Sequence, residues 1–298
     1  KVAGMGVDEG KGNGREPLLS DPVALQAHIV RVLHGEWWNG GGPCPPDESD
    51  DIRLSAVLLL LGVLKSEAAA EPEICVVLNK RSEQVRQSGD LCCPGGTVEL
   101  RLDPWLAKIA SFPGFPLARW PHWPRLRREC PAAARKLAML FAAGLREGWE
   151  EMRLNPFGIR FLGPLPSHRL VMFRRVIHPT AGWIKRQEHF ELSWEVEEII
   201  VIPLRNLLDV SNYAKLKLDA DPSVRAKMSR RARSGELPCY LHRANGRTET
   251  LWGATFHIVT MFLKAVFGFT PPENPSQPVR RGLLDASYFQ GREGKAHS

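Results

Sequence analysis

The sequence has 298 residues, which is long enough for one large or two modest domains with an ample core. Hydrophobic residues make up 43% of it and charged residues 24%, the balance of an ordinary soluble globular protein. The longest apolar run, Ala56 to Leu64, is too short for a helix that spans a bilayer and is typical of a buried strand. No membrane partner is therefore expected.

The six cysteines contain no CxxC pair, which argues against a zinc site. Adjacent Cys92 and Cys93 lie in an apolar run and are predicted to be buried thiols rather than a disulfide. No N-terminal segment has the order of a signal peptide, so the expected location is cytoplasmic. The net charge of +7 favours anionic partners, either nucleic acid or phosphorylated metabolites.

The N-terminal part of the chain predicts one helix between two irregular segments. Residues 1–19 are rich in glycine and charge and are expected to be mobile. The apolar spacing over Val23–Leu33, after Pro22, predicts a helix that ends near Gly35. The glycine and proline run at 40–46 predicts a linker.

Two apolar runs, Leu54–Leu64 and Ile74–Leu78, predict neighbouring buried strands. The polar loop Arg81–Gly89 follows them and leads to Pro94, Gly95 and Gly96. The two glycines predict a turn with freedom in φ, where the backbone can approach a ligand closely.

Residues 101–130 hold five prolines and three tryptophans among several arginines, a proline density that excludes one long helix. A helix is then predicted from Ala132 to Met152, and an apolar closing helix from Glu249 to Phe267. Between these helices, Asn245-Gly246 predicts a hairpin turn, and Ala220–Gly235 predicts a charged loop. The strands predicted after the first helix are Ile159–Leu162, Leu170–His178, Gly182–Ile184 and Val196–Ile202.

These elements divide the chain into three predicted parts. Residues 1–50 form the N-terminal helix and linker, and residues 51–268 form one α/β domain with an insertion at about 100–131. Residues 269–298 are predicted to be a disordered tail.

Three carboxylates, Glu147, Glu150 and Glu151, lie at i, i+3 and i+4 in the last turns of the long helix. This spacing puts them on one narrow face, where like charges repel and the helix dipole disfavours negative charge. For the triplet alone, a solvated acidic face is the simplest interpretation. A hard cation such as Mg²⁺ would reverse the repulsion, because it takes carboxylate oxygens and bridges them to phosphates.

The run from Arg146 to Leu154 resembles the second half of the Nudix box, and Gly95-Gly96-Thr97-Val98-Glu99 resembles its opening. The stretch from Arg81-Ser82 through Gly89 to Pro94 is similar to the signature of coenzyme A pyrophosphatase-type Nudix hydrolases. Segments at 194–204 and 251–255 resemble later blocks of the same proteins. The four blocks occur in order, which favours membership of the Nudix hydrolase superfamily.

The resemblance implies an α/β/α sandwich with a mixed sheet and a catalytic loop–helix–loop. It also implies hydrolysis of a pyrophosphate bond in coenzyme A or a related nucleoside-diphosphate conjugate, with Mg²⁺ or Mn²⁺ bound. The expected catalytic residues are Arg146, Glu147, Glu150 and Glu151, and the three glutamates are the expected metal ligands. The expected substrate-binding residues are Arg81, Gly95 and Gly96, because backbone amides at the glycines can approach phosphate oxygens.

A further carboxylate outside the helix often serves as base or metal ligand in this family. Four acids are candidates: Glu99, Asp103, Glu188 and Glu195. The residue types do not rank them well, and Glu195 has the stronger structural explanation because it leads into a strand.

The box departs from the family pattern at several positions. Gly96 lies about 36 residues further from the carboxylate helix than the family spacing requires. Arg153 replaces the box glycine, and Gly148 replaces the first aliphatic residue. The internal glutamate of the box falls at Leu102, so Asp103 is the nearest acid.

The insertion has three interpretations. Its arginines and tryptophans could bind a nucleotide by charge pairing and ring stacking, form a solvated flap, or present a face to a partner. The mixture also fits single-stranded nucleic acid, but no RNA-binding motif accompanies it, so nucleic acid is not expected. A homodimer is common among relatives and is left open.

Two functions remain. The first is a metal-dependent Nudix pyrophosphohydrolase, favoured by the three retained carboxylates. The alternative is a non-catalytic Nudix-fold protein that senses a nucleotide or binds a partner, favoured by Arg153 and the broken spacing. Both require the fold to bring Gly96 and Glu151 together across the insertion.

Overall fold

The structure is a computed structural model, and it describes residues 16–39, 53–67, 71–170, 175–187, 189–220, 235–273, 277–284 and 288. The predicted linker at 40–46, most of the predicted lead-in and charged loop, and Glu188 lie outside the described residues.

The helices are α1 (Glu16–Ser20), α2 (Pro22–Asn39), α3 (Asp103–Ala110), α4 (Trp123–Glu129), α5 (Pro131–Met152), α6 (Leu204–Leu207) and α7 (Gly253–Phe267). The strands are β1 (Arg53–Leu64), β2 (Glu73–Arg81), β3 (Leu91–Cys92), β4 (Gly95–Thr97), β5 (Ile159–Pro164), β6 (His168–Leu170), β7 (Arg175–Ile184), β8 (Val196–Pro203), β9 (Tyr213–Ala220), β10 (Leu237–Ala244), β11 (Arg247–Leu251) and β12 (Val279–Leu284).

The first sheet of the described residues is mixed and is built around β1. This strand pairs in parallel with β7 and antiparallel with β2 and β4, while β5 and β8 extend the sheet beyond β7 and β2. Residues 58–61 of β1 are all fully buried, so both faces of the sheet are covered. Helix α5 packs on β1 at Gly144, where a Cβ would lie 3.5 Å from Leu58 Cβ. The predicted α/β class with a mixed sheet is confirmed.

Strand β7 is one continuous strand where the sequence predicts two. It passes through Pro179, which has no N–H to donate to the neighbouring strand. The adjacent strand β5 shifts register between Phe161 and Gly163, and the Leu165 N–H donates to the Pro179 carbonyl at 2.9 Å. Proline is tolerated at such irregular positions in a sheet.

Two helices differ in length from their predictions. Helix α2 continues to Asn39, beyond the end predicted near Gly35. Helix α7 begins at Gly253 rather than Glu249, because Glu249 to Leu251 complete a hairpin with β10. Among the described residues, no helix combines the length and apolar character needed to cross a membrane.

The second sheet has the order β11-β10-β9-β12 in the described residues. Strand β9 was not predicted, although apolar Ala214 and Leu216 alternate with charged residues and are buried. The prediction of a disordered tail is wrong for Val279–Leu284, which pairs in parallel with β9. The pairing satisfies backbone groups along β9 that would otherwise form an open sheet edge.

Tyr288 fixes this C-terminal segment to the loop that follows β2. Its hydroxyl donates to Asp90 Oδ2 at 2.6 Å, and Trp252 Nε1 donates to Asp90 Oδ1 at 2.9 Å. The Gln87 N–H donates to the Tyr288 carbonyl at 2.7 Å. Burial raises the pKa of Asp90 to about 6, so the ionised carboxylate depends on these donors.

We expect Tyr288→Phe to lower the free energy of unfolding by about 1–3 kcal/mol at pH 7.5, because a buried carboxylate loses a donor. Urea unfolding measures this change. The control is Leu283→Ala, whose side chain is 76% exposed and whose effect should stay within about 0.5 kcal/mol. Equal losses in the two variants would show that this bond does not anchor the tail.

Candidate metal and pyrophosphate site

The fold brings Gly96 to the carboxylate helix across the insertion. Strand β4 pairs with β1 next to α5, so the residues at 101–130 leave and return without separating the two halves of the site. A Cβ built on Gly96 would overlap the Glu147 carboxylate, and the Gly95 backbone lies close enough to Glu151 to lower its pKa.

The insertion folds into α3 and α4, which both pack on α5. Trp120 and Trp123 are buried in the core, and the Trp120 ring packs edge-on against Phe161 with centroids 5.2 Å apart. These two tryptophans therefore hold the insertion to the domain and cannot stack on a nucleotide. Trp105 is 63% exposed and remains available to a ligand or partner.

Arg146 is the centre of an ion-pair network at the site. Its Nε and Nη2 donate to Asp103 Oδ1 and Oδ2 at 2.9 and 3.3 Å, a forked geometry that fixes the guanidinium. Nη1 reaches Glu150 at 3.1 Å, and Nη2 reaches Glu147 at 3.1 Å. Nη2 also donates to the Thr97 carbonyl at 3.2 Å, which ties the helix to β4.

Asp103 lies one position after Leu102, the position where the resemblance to the Nudix box puts an internal glutamate. It is fully buried at the start of α3, whereas Leu102, in the family's position, is 40% exposed. Asp103 Oδ2 also accepts from the Glu99 N–H at 2.6 Å. The insertion therefore begins with Asp103, the buried carboxylate that pairs with Arg146 on α5.

Glu151 is the most buried of the three helix carboxylates, at 6% exposure. Its Oε2 accepts from Asn79 Nδ2 at 2.7 Å. Burial, together with the negative charges of Glu147 and Glu195, raises the pKa of Glu151 to about 8. Asn79 Oδ1 is also buried and has no hydrogen-bond partner in the structure. Sequence reasoning missed Asn79, although a polar residue at the end of an apolar strand was a usable signal.

The other two helix carboxylates differ in exposure. The Glu147 side chain is 18% exposed, and its pKa is raised first by burial and then by the charges of Glu150 and Glu195, against the lowering effect of Arg146. The Glu150 side chain is 53% exposed and points to its ion pair with Arg146. Glu147 and Glu151 therefore line the interior of the site, and Glu150 lies at its rim.

The structure ranks the candidates for the further carboxylate. Asp103 is committed to Arg146, and Glu99 is 58% exposed and 3.7 Å from the same guanidinium. Glu195 lies close enough to raise the pKa of both Glu147 and Glu151. Among the described candidates, Glu195 is the one whose charge acts on both buried helix carboxylates without being paired to Arg146 in the described residues.

Arg81 connects the carboxylates to the preceding loop. Its positive charge lowers the pKa of Glu151 and of Asp90, against the larger effect of burial. Its Nε donates to the Arg86 carbonyl at 2.8 Å, which fixes the side chain next to the cluster. An arginine in this position can pair with a phosphate.

Within the described part of the chain, no three His, Cys, Asp or Glu side chains converge closely enough to hold a metal ion. Glu147 and Glu150 both pair with Arg146 instead. The donor chemistry nonetheless suits a hard cation: Glu147, Glu151 and Glu195 repel one another, and Asn79 Oδ1 is an unpaired buried oxygen. The ligand set Glu147, Glu150 and Glu151 stays a prediction.

The end of the carboxylate helix accommodates two departures from the box. Arg153, in place of glycine, adopts the left-handed conformation at φ 52° that ends α5, and its guanidinium lies 5.0 Å from the Trp149 ring centroid. A Cβ on Gly148 would lie 2.9 Å from Leu154 Cδ2. Gly148 thus makes room for the buried side chain of Leu154.

We expect the two glycines of β4 to differ in what an alanine substitution changes, activity at Gly96 and stability at Gly95. Gly96→Ala places a methyl group against the mobile end of Glu147, so we expect a small change in stability and at least about a tenfold loss of metal-dependent activity. Gly95→Ala meets the backbone of Ala56 and Val57 at φ 155°, so we expect destabilisation by more than about 2 kcal/mol. Thermal unfolding and turnover measured on both variants check this contrast, and a reversed order of effects would contradict it.

The raised pKa of Glu151 leads us to expect that the stability of the metal-free protein depends on pH. Its pKa rises from an ordinary 4.5 to about 8 in the folded state, so between these values the folded protein binds more protons than the unfolded chain. Stability should therefore fall, by up to about 3–5 kcal/mol, as pH rises from 4.5 to 8. Urea unfolding at several pH values measures the slope, which Glu151→Gln should reduce. An unchanged slope in that variant would refute the assignment to Glu151.

Comparisons with known proteins add context to this geometry. No family model and no curated protein matches the chain. Similar solved structures include a MutT/nudix family protein from Enterococcus faecalis (15% identity, 83% of this chain and 75% of that chain, TM-score 0.38). They also include a Nudix hydrolase from Nitrosomonas europaea (10%, 81% and 84%, TM-score 0.35) and an Ap4A hydrolase from C. elegans (12%, 52% and 83%, TM-score 0.31). Similarity at this level does not establish the family, so function is inferred from the site itself.

Proposed function

We propose that the protein is a divalent-metal-dependent hydrolase of the Nudix type, which cleaves a pyrophosphate bond in a nucleoside-diphosphate conjugate. One observation carries the proposal: the buried carboxylate of Glu151 lies within electrostatic reach of Glu147 and Glu195, and Gly96 lies against Glu147 at the same helix end. A structural helix end gains nothing from acids in this arrangement.

The residues of the site have distinct roles in this proposal. Bound Mg²⁺ or Mn²⁺ would neutralise pyrophosphate charge and lower the pKa of a water molecule, and Glu147 and Glu151 would hold it. Arg81 and the backbone of Gly95 and Gly96 would orient the phosphates.

Two more residues complete the proposed roles. The Glu195 carboxylate would accept the proton of the attacking water. Arg146, anchored by Asp103, would hold Glu147 in place.

Coenzyme A is the first conjugate to test. Support for it comes from the loop that begins at Arg81-Ser82 and ends at Pro94, which resembles the signature of coenzyme A-type enzymes. The loop borders the carboxylate cluster through Arg81, so a conjugate bound there would contact both.

The alternative is a non-catalytic protein that binds a nucleotide or a partner. Its specific support is that Glu147 and Glu150 are both paired with Arg146, an arrangement that offsets part of their charge without a metal. Arg153 in the place of the box glycine supports it as well.

A turnover panel separates the two functions. The protein is incubated with Mg²⁺ or Mn²⁺ and with coenzyme A, ADP-ribose and dinucleoside polyphosphates, and the nucleotide products are separated by chromatography. Calorimetry with Mg²⁺ alone is run in parallel. Metal binding without turnover of any conjugate would refute the enzyme proposal and favour the non-catalytic alternative.

A further inference from the structure

Trp194 is an exposed aromatic residue whose backbone adjoins the candidate site, and the proposed chemistry leaves it unused. It is 62% exposed and directly precedes Glu195. Among the described residues, the structure shows no ring partner for its indole. A large apolar ring held in solvent beside a polar site points to a ligand-contacting role.

The backbone that carries this indole is fixed on both sides. Ser82 Oγ donates to the Trp194 carbonyl at 2.8 Å, and the Ser82 N–H donates to the Glu195 carbonyl at 2.9 Å. The Ser193 N–H donates to the Glu151 carbonyl at 2.9 Å. Trp194 is therefore held between the Arg81-Ser82 corner and the end of α5.

The groups near Trp194 indicate which part of a substrate its ring would contact. The carboxyl groups of Glu147 and Glu151 are the proposed metal ligands, so a metal-bound pyrophosphate would be held beside them, and Arg81 lies close enough to act on Glu151. An uncharged planar group has no favourable partner there. The base of a nucleotide would therefore lie at the rim, where the indole offers an apolar face.

We propose that Trp194 is the stacking platform for the nucleobase of the substrate. This inference rests on the proposed function only for the position of the pyrophosphate. Stacking on an aromatic ring tolerates any base, because every base has a π face, so the platform selects nucleotides without selecting among bases. The hydrogen bonds of the backbone around Trp194 reduce the backbone entropy that binding would cost.

Calorimetric titration tests the platform, with ADP and inorganic pyrophosphate as probes in the presence of Mg²⁺. We expect Trp194→Ala to bind ADP about tenfold more weakly and to bind pyrophosphate unchanged. Trp194→Phe retains a stacking face and should bind ADP within about threefold of the parent protein. The matched control is Trp105→Ala, which removes an indole of similar exposure from the insertion and should leave ADP binding unchanged.

Three results would overturn the proposal: no ADP binding by the parent protein, ADP binding unchanged in Trp194→Ala, or equal losses for ADP and pyrophosphate. A loss confined to Trp105→Ala would overturn it as well and would assign nucleotide binding to the insertion. The turnover panel is read separately. If Trp194 governs ADP binding and no conjugate is hydrolysed, the enzyme proposal fails and the nucleotide platform stands.

Discussion

Replacing Glu151 by glutamine is expected to reduce pyrophosphate hydrolysis by about 10²- to 10⁴-fold. The side chain is the most buried carboxylate of the triplet, and its direct partner is an amide, Asn79. Glutamine keeps the volume and can still accept the Asn79 bond, so the fold should persist. The lost charge removes an oxygen ligand that a hard cation prefers.

The measurement is the initial rate on the best conjugate at saturating Mg²⁺, with calorimetry for metal affinity. Glu129→Gln is the matched control, because Glu129 lies on α4 and pairs with Arg125, outside the site. Glu150→Gln should also reduce turnover by orders of magnitude if its predicted role is correct. Because Glu150 is more exposed than Glu151, its loss should be the smaller. An unchanged rate in Glu151→Gln would refute the metal-binding role.

Replacing Arg146 by glutamine is expected to lower the free energy of unfolding by about 3–5 kcal/mol. The reason is Asp103, which is fully buried and would lose both donors of the forked guanidinium. The charges of Glu147 and Glu150 would lose the same partner. Urea unfolding at neutral pH measures the loss, and circular dichroism reports whether the variant is folded.

Two variants make this result specific. Arg128→Gln breaks an exposed ion pair with Glu129 on α4 and should cost less than about 1 kcal/mol. The double variant Arg146→Gln with Asp103→Asn should be more stable than Arg146→Gln alone, because the fully buried charge of Asp103 is removed together with its partner. A loss below about 1 kcal/mol in Arg146→Gln would show that Asp103 does not depend on it.

Local pattern was enough to predict the parts of the fold that depend on periodicity. The apolar runs of β1 and β2 and the helix of the triplet lie where their spacing predicts them. The pairing of Gly96 with the carboxylate helix followed from the resemblance alone, because no local rule joins residues across an insertion. The sequence identified Asp103 only as the acid nearest to Leu102, and its pairing with Arg146 could not be predicted.

Other features depended on distant contacts and could not be predicted. Trp120 and Trp123 lie in a proline-rich segment that has the composition of a surface flap, yet both are core residues. Strand β12 forms because β9 offers an edge, and the sequence of the tail contains no sign of that edge. The coenzyme A substrate, the metal, the homodimer and the cytoplasmic location stay predictions.

The bond from Tyr288 to Asp90 joins residues 198 positions apart. A chain made from its N-terminus completes the loop of Arg81 only after nearly all of the domain has emerged, since contacts so distant in sequence form late. The loop would therefore reach its final conformation late in folding, after the contacts that are local in sequence. The carboxylate helix, whose hydrogen bonds are local, would form before the loop of Arg81 is tied down by Tyr288.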